Sequence, residues 1–260
     1  MKTALTIAGS DSCGGAGIQA DLKTFAAHGV YGTCAITAVT AQNTLGVEAS
    51  ENLSVDLIVA QVTAIADDIG VDAVKTGMLA TSAIVEAVAA LLPSLPTPYV
   101  VVDPVMVAKS GSRLLAKEAV DAVRRTLLPR ATVVTPNAME AEVLAKVSID
   151  SLDAAREAAR RIHDLGPGTV VIKGGHLPTA DAVDLVYDGD NYVELRGPRL
   201  PSRQTHGTGC TFAAAVAANL ARGHPTPDAI AAAKHYVAEA IRHGLPLGRG
   251  HGPLDHFWQQ

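Results

Sequence analysis

His206-Gly207-Thr208-Gly209-Cys210, followed by the small-residue run Thr211 to Val216, is the stretch of this sequence best suited to chemistry. Its glycines let a backbone approach an anion closely. The helix expected after it, over 209–222, offers first-turn N–H groups at the positive end of its dipole. Such a turn can hold a phosphoryl group in transfer and stabilise its charge. Gly207, Thr208, Gly209 and Cys210 are therefore catalytic candidates; the plainer alternative is a glycine-rich helix entry kept for packing. Cys210 falls in the first turn, where the dipole favours a thiolate that could act as a general base. A buried packing cysteine suits the same position equally well. The chain has no Gly-x-x-x-x-Gly-Lys-Ser/Thr motif, which argues against a P-loop NTPase.

Other segments carry groups of related use. The glycine-rich stretch 9–17 lacks Gly-x-Gly-x-x-Gly spacing and reads as a substrate-lining loop rather than a dinucleotide cradle. Asn137 with Glu140 forms a potential capping box, and the carboxylate could equally reach Mg²⁺ through water. Asp103 ends an apolar strand before Pro104, where a carboxylate needs a partner; it either helps hold the metal or forms a strand-end turn. Lys173, at the end of Val170-Val171-Ile172, is a candidate phosphate contact, with a surface lysine as the alternative. No histidines form a metal-like cluster. His206 reads as a loop-positioning residue and His176 as a turn residue, while Cys13 and Cys34 read as incidental.

These groups need a scaffold that gathers them. Near-continuous apolar runs at 5–8, 34–39, 73–76, 99–103, 132–135 and 169–172 predict strands buried on both faces of a parallel sheet. Helical patterns lie between them at about 16–28, 55–69, 81–92, 116–128, 138–146 and 151–165. An Asp-Gly turn within 182–195 predicts an antiparallel hairpin, and a last helix is expected over 227–243 after Thr226-Pro227-Asp228. Repeated βα units predict an α/β fold of three layers, α/β/α, as one domain over 1–260. Ligands of such sheets bind beyond the carboxyl ends of the strands, where the Gly-, Asp-, Asn-, Lys- and Thr-rich segments of this chain fall.

Composition narrows the partners. With 260 residues, 48% hydrophobic and 18% charged, the chain is too apolar for an intrinsically disordered protein. A net charge of −5 and 3% aromatic residues argue against nucleic-acid binding. Three cysteines without Cys-x-x-Cys spacing, no signal-peptide core and no membrane-length apolar run predict a cytoplasmic location.

Taken in order, the runs Leu5 to Asp11, Gly14 to Lys23, Ala41 to Thr44, Lys75 to Leu79, Asp103 to Met106 with Lys109 to Gly111, Thr135 to Asn137 with Glu140-Ala141, Lys173 to His176 and His206 to Thr211 cover almost the whole chain. Together they resemble the ribokinase-like superfamily, and within it the hydroxymethylpyrimidine/phosphomethylpyrimidine kinases of thiamine biosynthesis. The resemblance implies ATP as co-substrate, Mg²⁺, a homodimer, and two phosphorylations at one site. These convert 4-amino-5-hydroxymethyl-2-methylpyrimidine first to its monophosphate and then to its diphosphate. It implies that Gln42 pairs with the aminopyrimidine edge, which suits an amide because it offers both a donor and an acceptor. Gly9, Met78 and Val105 match positions lining the pyrimidine, with Asp21 as a further addition. Asn137, Lys173 and Thr208 match the ATP side, and Glu140 and Asp103 the metal side. Cys210 matches a catalytic position where the superfamily's sugar kinases usually carry Asp, which favours a thiolate base. Relatives with the same loop act on vitamin B6, so a pyridoxal or pyridoxine kinase is the near alternative. A non-catalytic ligand sensor on this fold is the distant one. The segment 108–113 is a candidate for closing over the site.

Overall fold

Side chains in the central strands alternate between two buried faces, which is why their sequences read as unbroken apolar runs. In the computed structural model, which describes residues 1–107, 111, 114–174 and 181–259, nine strands form one sheet in the order β3-β2-β1-β4-β5-β6-β7-β8-β9. The parallel strands are β1 (Thr3–Asp11), β2 (Tyr31–Gln42), β4 (Ala73–Thr76), β5 (Val100–Val102), β6 (Val133–Val134) and β7 (Thr169–Ile172). β3 (Val47–Asn52) runs antiparallel to β2 at one edge, and the hairpin β8 (Ala182–Tyr187) and β9 (Tyr192–Gly197) closes the other.

Val100, Val102, Leu5, Ile7 and Ile172 face a core shared with α2 (Val55–Asp68), α3 (Ser82–Leu91), α4 (Ala119–Ala122), α5 (Ala138–Ala145) and α6 (Leu152–His163). Ala4, Ala73, Val101, Val133 and Val171 face the opposite core with α1 (Gly17–Ala27), α7 (Thr208–Ala221) and α8 (Thr226–Arg242). The expected three-layer α/β/α arrangement is therefore present. Every residue of α7 from Thr211 to Ala221 is buried, and its alanines let it lie tight against the sheet, α1 and α8. Among the described residues no helix is long and apolar enough to cross a membrane.

Two local expectations are corrected. The expected helix 116–128 starts at α4 but widens into a π turn over Val123–Leu127 and tightens to a 3-10 turn over Leu128–Arg130, where Pro129 removes a backbone donor. β3 is an added strand; apart from Val47 its residues are exposed, so it has no apolar face to announce it.

Candidate active site

All six parallel strands point their carboxyl ends to one edge of the sheet, and a cavity of about 640 Å³ opens there. One wall is the start of α7. Gly207 precedes it at φ 83°, and a Cβ there would lie 1.7 Å from the Gly15 carbonyl oxygen, so only glycine fits. The 9–17 loop and the 206–210 turn thus meet backbone to backbone. The Gly17 N–H donates to the Cys210 sulfur. Thr208, Gly209 and Cys210, in the first turn, have N–H groups without acceptors four residues back in the helix, although Thr208 N–H reaches the Thr205 carbonyl at 3.4 Å. The expected resting thiolate is corrected. Burial pushes the Cys210 thiol up to about 11, against the pull of Lys75, and Asp103 and Asp21 add to the rise. Lost hydration outweighs the helix dipole here.

A second wall joins the ends of β5, β6 and β7. Lys173 Nζ donates to Asp103 Oδ1 at 2.9 Å, and Thr135 Oγ1 donates to the same oxygen at 3.4 Å. Lys173 is therefore no free surface lysine. Although burial works against its charge, Asp103 and Glu140 hold the ammonium above its usual pKa. Glu140 completes the capping box of α5: Asn137 N–H donates to Oε2 at 2.8 Å, and Glu140 N–H donates to Asn137 Oδ1 at 2.9 Å. Met106 N–H reaches the other carboxylate oxygen at 3.4 Å. Burial pushes the Glu140 carboxyl up to about 7; Lys173 opposes this and Asp103 adds to it.

The third wall carries Gly9, Gln42, Met78 and Val105. A Cβ on Gly9 would lie 3.0 Å from Met78 Sδ, so the strand end and the methionine are in close contact. Behind them Asp11 accepts from the N–H groups of Cys13, Gly15 and Ala16 and pairs with His206 Nε2 at 2.8 Å. Asp11, Cys13 and His206 bring a carboxylate oxygen, a sulfur and a ring nitrogen within 4.8 Å of one another, closer than the scattered histidines of the sequence suggest. With four donors already on its carboxylate, Asp11 is the centre of a hydrogen-bonded hub that ties β1 to the entry of α7.

A family model described as phosphomethylpyrimidine kinase matches residues 11–255. The chain belongs to this family. Its relatives include a hydroxymethylpyrimidine/phosphomethylpyrimidine kinase of Streptomyces coelicolor, 54% identical over 98% of this chain and 94% of that protein. The Bacillus subtilis kinase of the same name is 48% identical over 98% of this chain and 94% of its own length. Among solved structures, a Staphylococcus aureus pyridoxal kinase in complex with ADP superposes with a TM-score of 0.93 at 40% identity, covering 100% of this chain and 94% of that one. A phosphomethylpyrimidine kinase of Clostridium difficile gives 0.83 at 41% identity, over 93% and 100% of the two chains. The three-layer fold is the ribokinase-like one these kinases share.

Within this phosphomethylpyrimidine kinase-family chain, the cavity gathers Gly9, Gln42, Met78, Val105, Asp103, Asn137, Glu140, Lys173 and residues 207–210. Asp21 is the exception and its expected substrate contact is corrected. It is fully buried on α1, absent from the cavity wall, and accepts from Thr6 Oγ1 at 2.6 Å and Lys75 Nζ at 2.8 Å. Its partner Lys75 is the residue that reading the sequence overlooks. Although burial works against its charge, Asp21, Cys210 and Asp103 keep its ammonium strongly protonated, and it reaches the cavity. A lysine inside the apolar strand Ala73–Thr76 was the available signal, since a doubly covered strand buries a cation only beside an anion. The segment 108–113, Gly111 apart, and His176 lie outside the described residues.

Proposed function

We propose that this protein is an ATP-dependent kinase that phosphorylates 4-amino-5-hydroxymethyl-2-methylpyrimidine and then the resulting monophosphate, in thiamine diphosphate biosynthesis. The carrying observation is that Cys210 and the first turn of α7 share one cleft with Gln42, Met78 and Val105 and with Lys173, Asp103 and Glu140. The names of the curated relatives agree with this reading. In the first step the substrate hydroxyl oxygen attacks the γ-phosphorus of ATP as the bond to ADP breaks, and Cys210 in its deprotonated thiolate form takes the hydroxyl proton to become the thiol. The first-turn N–H groups of α7 stabilise the charge spread over the moving phosphoryl group. Asn137, Lys173 and Thr208 serve the nucleotide. In the second step the acceptor is a phosphate oxygen that is already anionic near neutral pH.

Magnesium belongs to the proposal. Glu140 and Asp103 offer hard oxygen donors beside Lys173, a set that fits a hydrated Mg²⁺ held through carboxylates. The ion would neutralise phosphate charge. Below about pH 7 the Glu140 carboxyl holds its proton and presents no anion; above it the carboxylate is ionised. Mg²⁺ affinity measured calorimetrically with ADP present is therefore expected to rise about tenfold per pH unit below 7 and to level off above it. Glu140→Gln should remove that slope, and a flat wild-type profile would refute this role.

Gln42→Leu is expected to reduce kcat/KM for the pyrimidine by on the order of a hundredfold while KM for ATP stays within about threefold. Comparable losses in both would remove Gln42 from the substrate site. Pyridoxal is the rival acceptor, because solved neighbours such as the Staphylococcus aureus enzyme carry that name. ADP release with the pyrimidine and with pyridoxal side by side decides between them, and no ADP with either would leave a ligand sensor. A homodimer and a cytoplasmic location complete the proposal. The open edge at β3, with Val39 and Leu45 half exposed beside it, offers an apolar surface for a second copy, and sedimentation would test it.

A further inference from the structure

The Asp11–His206 hub touches Gln42, and its hydrogen bonds determine how the Gln42 amide must lie. Burial works against charge on Asp11, yet the His206 hydrogen bond and the Ala16 and Cys13 N–H groups hold its carboxyl below the usual range, so it is ionised near neutral pH. A carboxylate only accepts, so His206, 2.8 Å away, must carry its proton on Nε2. One end of the Gln42 amide lies 3.4 Å from that same nitrogen. The other end lies 3.1 Å from Thr40 Oγ1, and Thr40 also donates to the Ser10 carbonyl at 3.0 Å. Thr40 has a single hydroxyl proton. With that proton on Ser10, it turns a lone pair toward Gln42. With its nitrogen toward His206 and its oxygen accepting from Thr40, the amide would set an NH₂ against a ring N–H that has no lone pair and whose proton is directed at Asp11. Turned over, its carbonyl oxygen takes a minor share of that proton and its NH₂ donates to Thr40. Oxygen and nitrogen of an amide are told apart only by such partners.

We propose that Gln42 is locked with its carbonyl oxygen toward His206 and its NH₂ toward Thr40, and that Asp11 and His206 are positioning residues that thereby select the substrate's hydrogen-bonding edge. This rests on the reading above that Gln42 meets the pyrimidine. A 4-aminopyrimidine presents an amino donor beside a ring-nitrogen acceptor. The 4-oxo analogue presents the same two positions reversed, a carbonyl acceptor beside a ring N–H. One polarity of the amide pairs with one edge in a given pose, and an amide free to turn over pairs with both. Gln42, Thr40, Asp11 and His206 all line the cavity, so the lock acts where the ligand is read.

The test is the ratio of kcat/KM for the 4-amino and 4-oxo hydroxymethylpyrimidines. In wild type the amino compound is expected to lead by at least tenfold. His206→Leu, which removes the donor, should shrink the ratio on the order of tenfold. His206→Gln, which restores an N–H near the Nε2 position, should keep it. An unchanged ratio in His206→Leu overturns the lock. Should that variant not fold, Thr40→Val removes the other anchor and is expected to narrow the ratio as well; an unchanged ratio there overturns it equally. The proton position is read separately, without turnover, by ¹⁵N NMR of His206. A protonated Nε2 supports the lock, and a bare Nε2 overturns it even if neither pyrimidine is phosphorylated, an outcome that would sink the substrate assignment instead.

Discussion

Replacing Cys210 with alanine is expected to slow the first phosphorylation by about 10²–10⁴-fold and the second by less than tenfold. The alcohol must shed a proton as its oxygen attacks, whereas the monophosphate arrives with an anionic oxygen and requires no base. Single-turnover measurements with each acceptor separate the two steps. In wild type, the thiol held at about 11 leaves little thiolate near neutral pH. The first step should therefore accelerate about tenfold per pH unit between 7 and 9, as the active deprotonated form grows. Cys210→Ser, nearly the same size but with a hydroxyl that does not ionise in this range, should lose that slope. A first step that survives in Cys210→Ala at near wild-type rate would end the base assignment. Equal losses in both steps would move Cys210 from proton transfer to positioning of the shared phosphoryl group.

Lys75→Met is expected to destabilise the protein by about 3–5 kcal/mol, because it leaves the Asp21 carboxylate buried without its cation. Asp21 is poorly placed to absorb the loss, since its Oδ1 has no partner among the described residues. The double variant Asp21→Leu with Lys75→Met removes both charges and should recover most of that stability in denaturant unfolding. It should not recover the first phosphorylation, because the positive charge that pulls the Cys210 thiol down is gone. Wild-type stability in the single variant would show that the pair carries no structural load. Recovery of both stability and rate in the double variant would reduce Lys75 to scaffolding.

The parts of this molecule that were legible in its sequence are those where one local pattern serves one purpose. Strands such as Val100–Val102 are apolar on both faces because both faces are covered, and their order with the intervening helices gives the layers. The hairpin is marked by its turn, where Gly189 takes φ 102° and Asp188 accepts from Asn191 N–H at 2.7 Å. What stayed hidden depends on partners far along the chain. β3 is stabilised by its ladder to β2 and by no apolar face of its own. Asp21 looks like a polar residue near a glycine-rich loop until Lys75, 54 residues away, is seen to neutralise it. Thiol acidity at Cys210 depends on how much water the fold excludes, and a helix dipole read from sequence says nothing of that.

The bond between Asp11 and His206 spans 195 residues, and His206 N–H is held in turn by the Gly252 carbonyl. Ribosomal synthesis therefore delivers the two sides of this hub far apart in time. β1 and its glycine-rich loop wait, with the hub unmade, until residues 206 and 252 have been added and fold back across them.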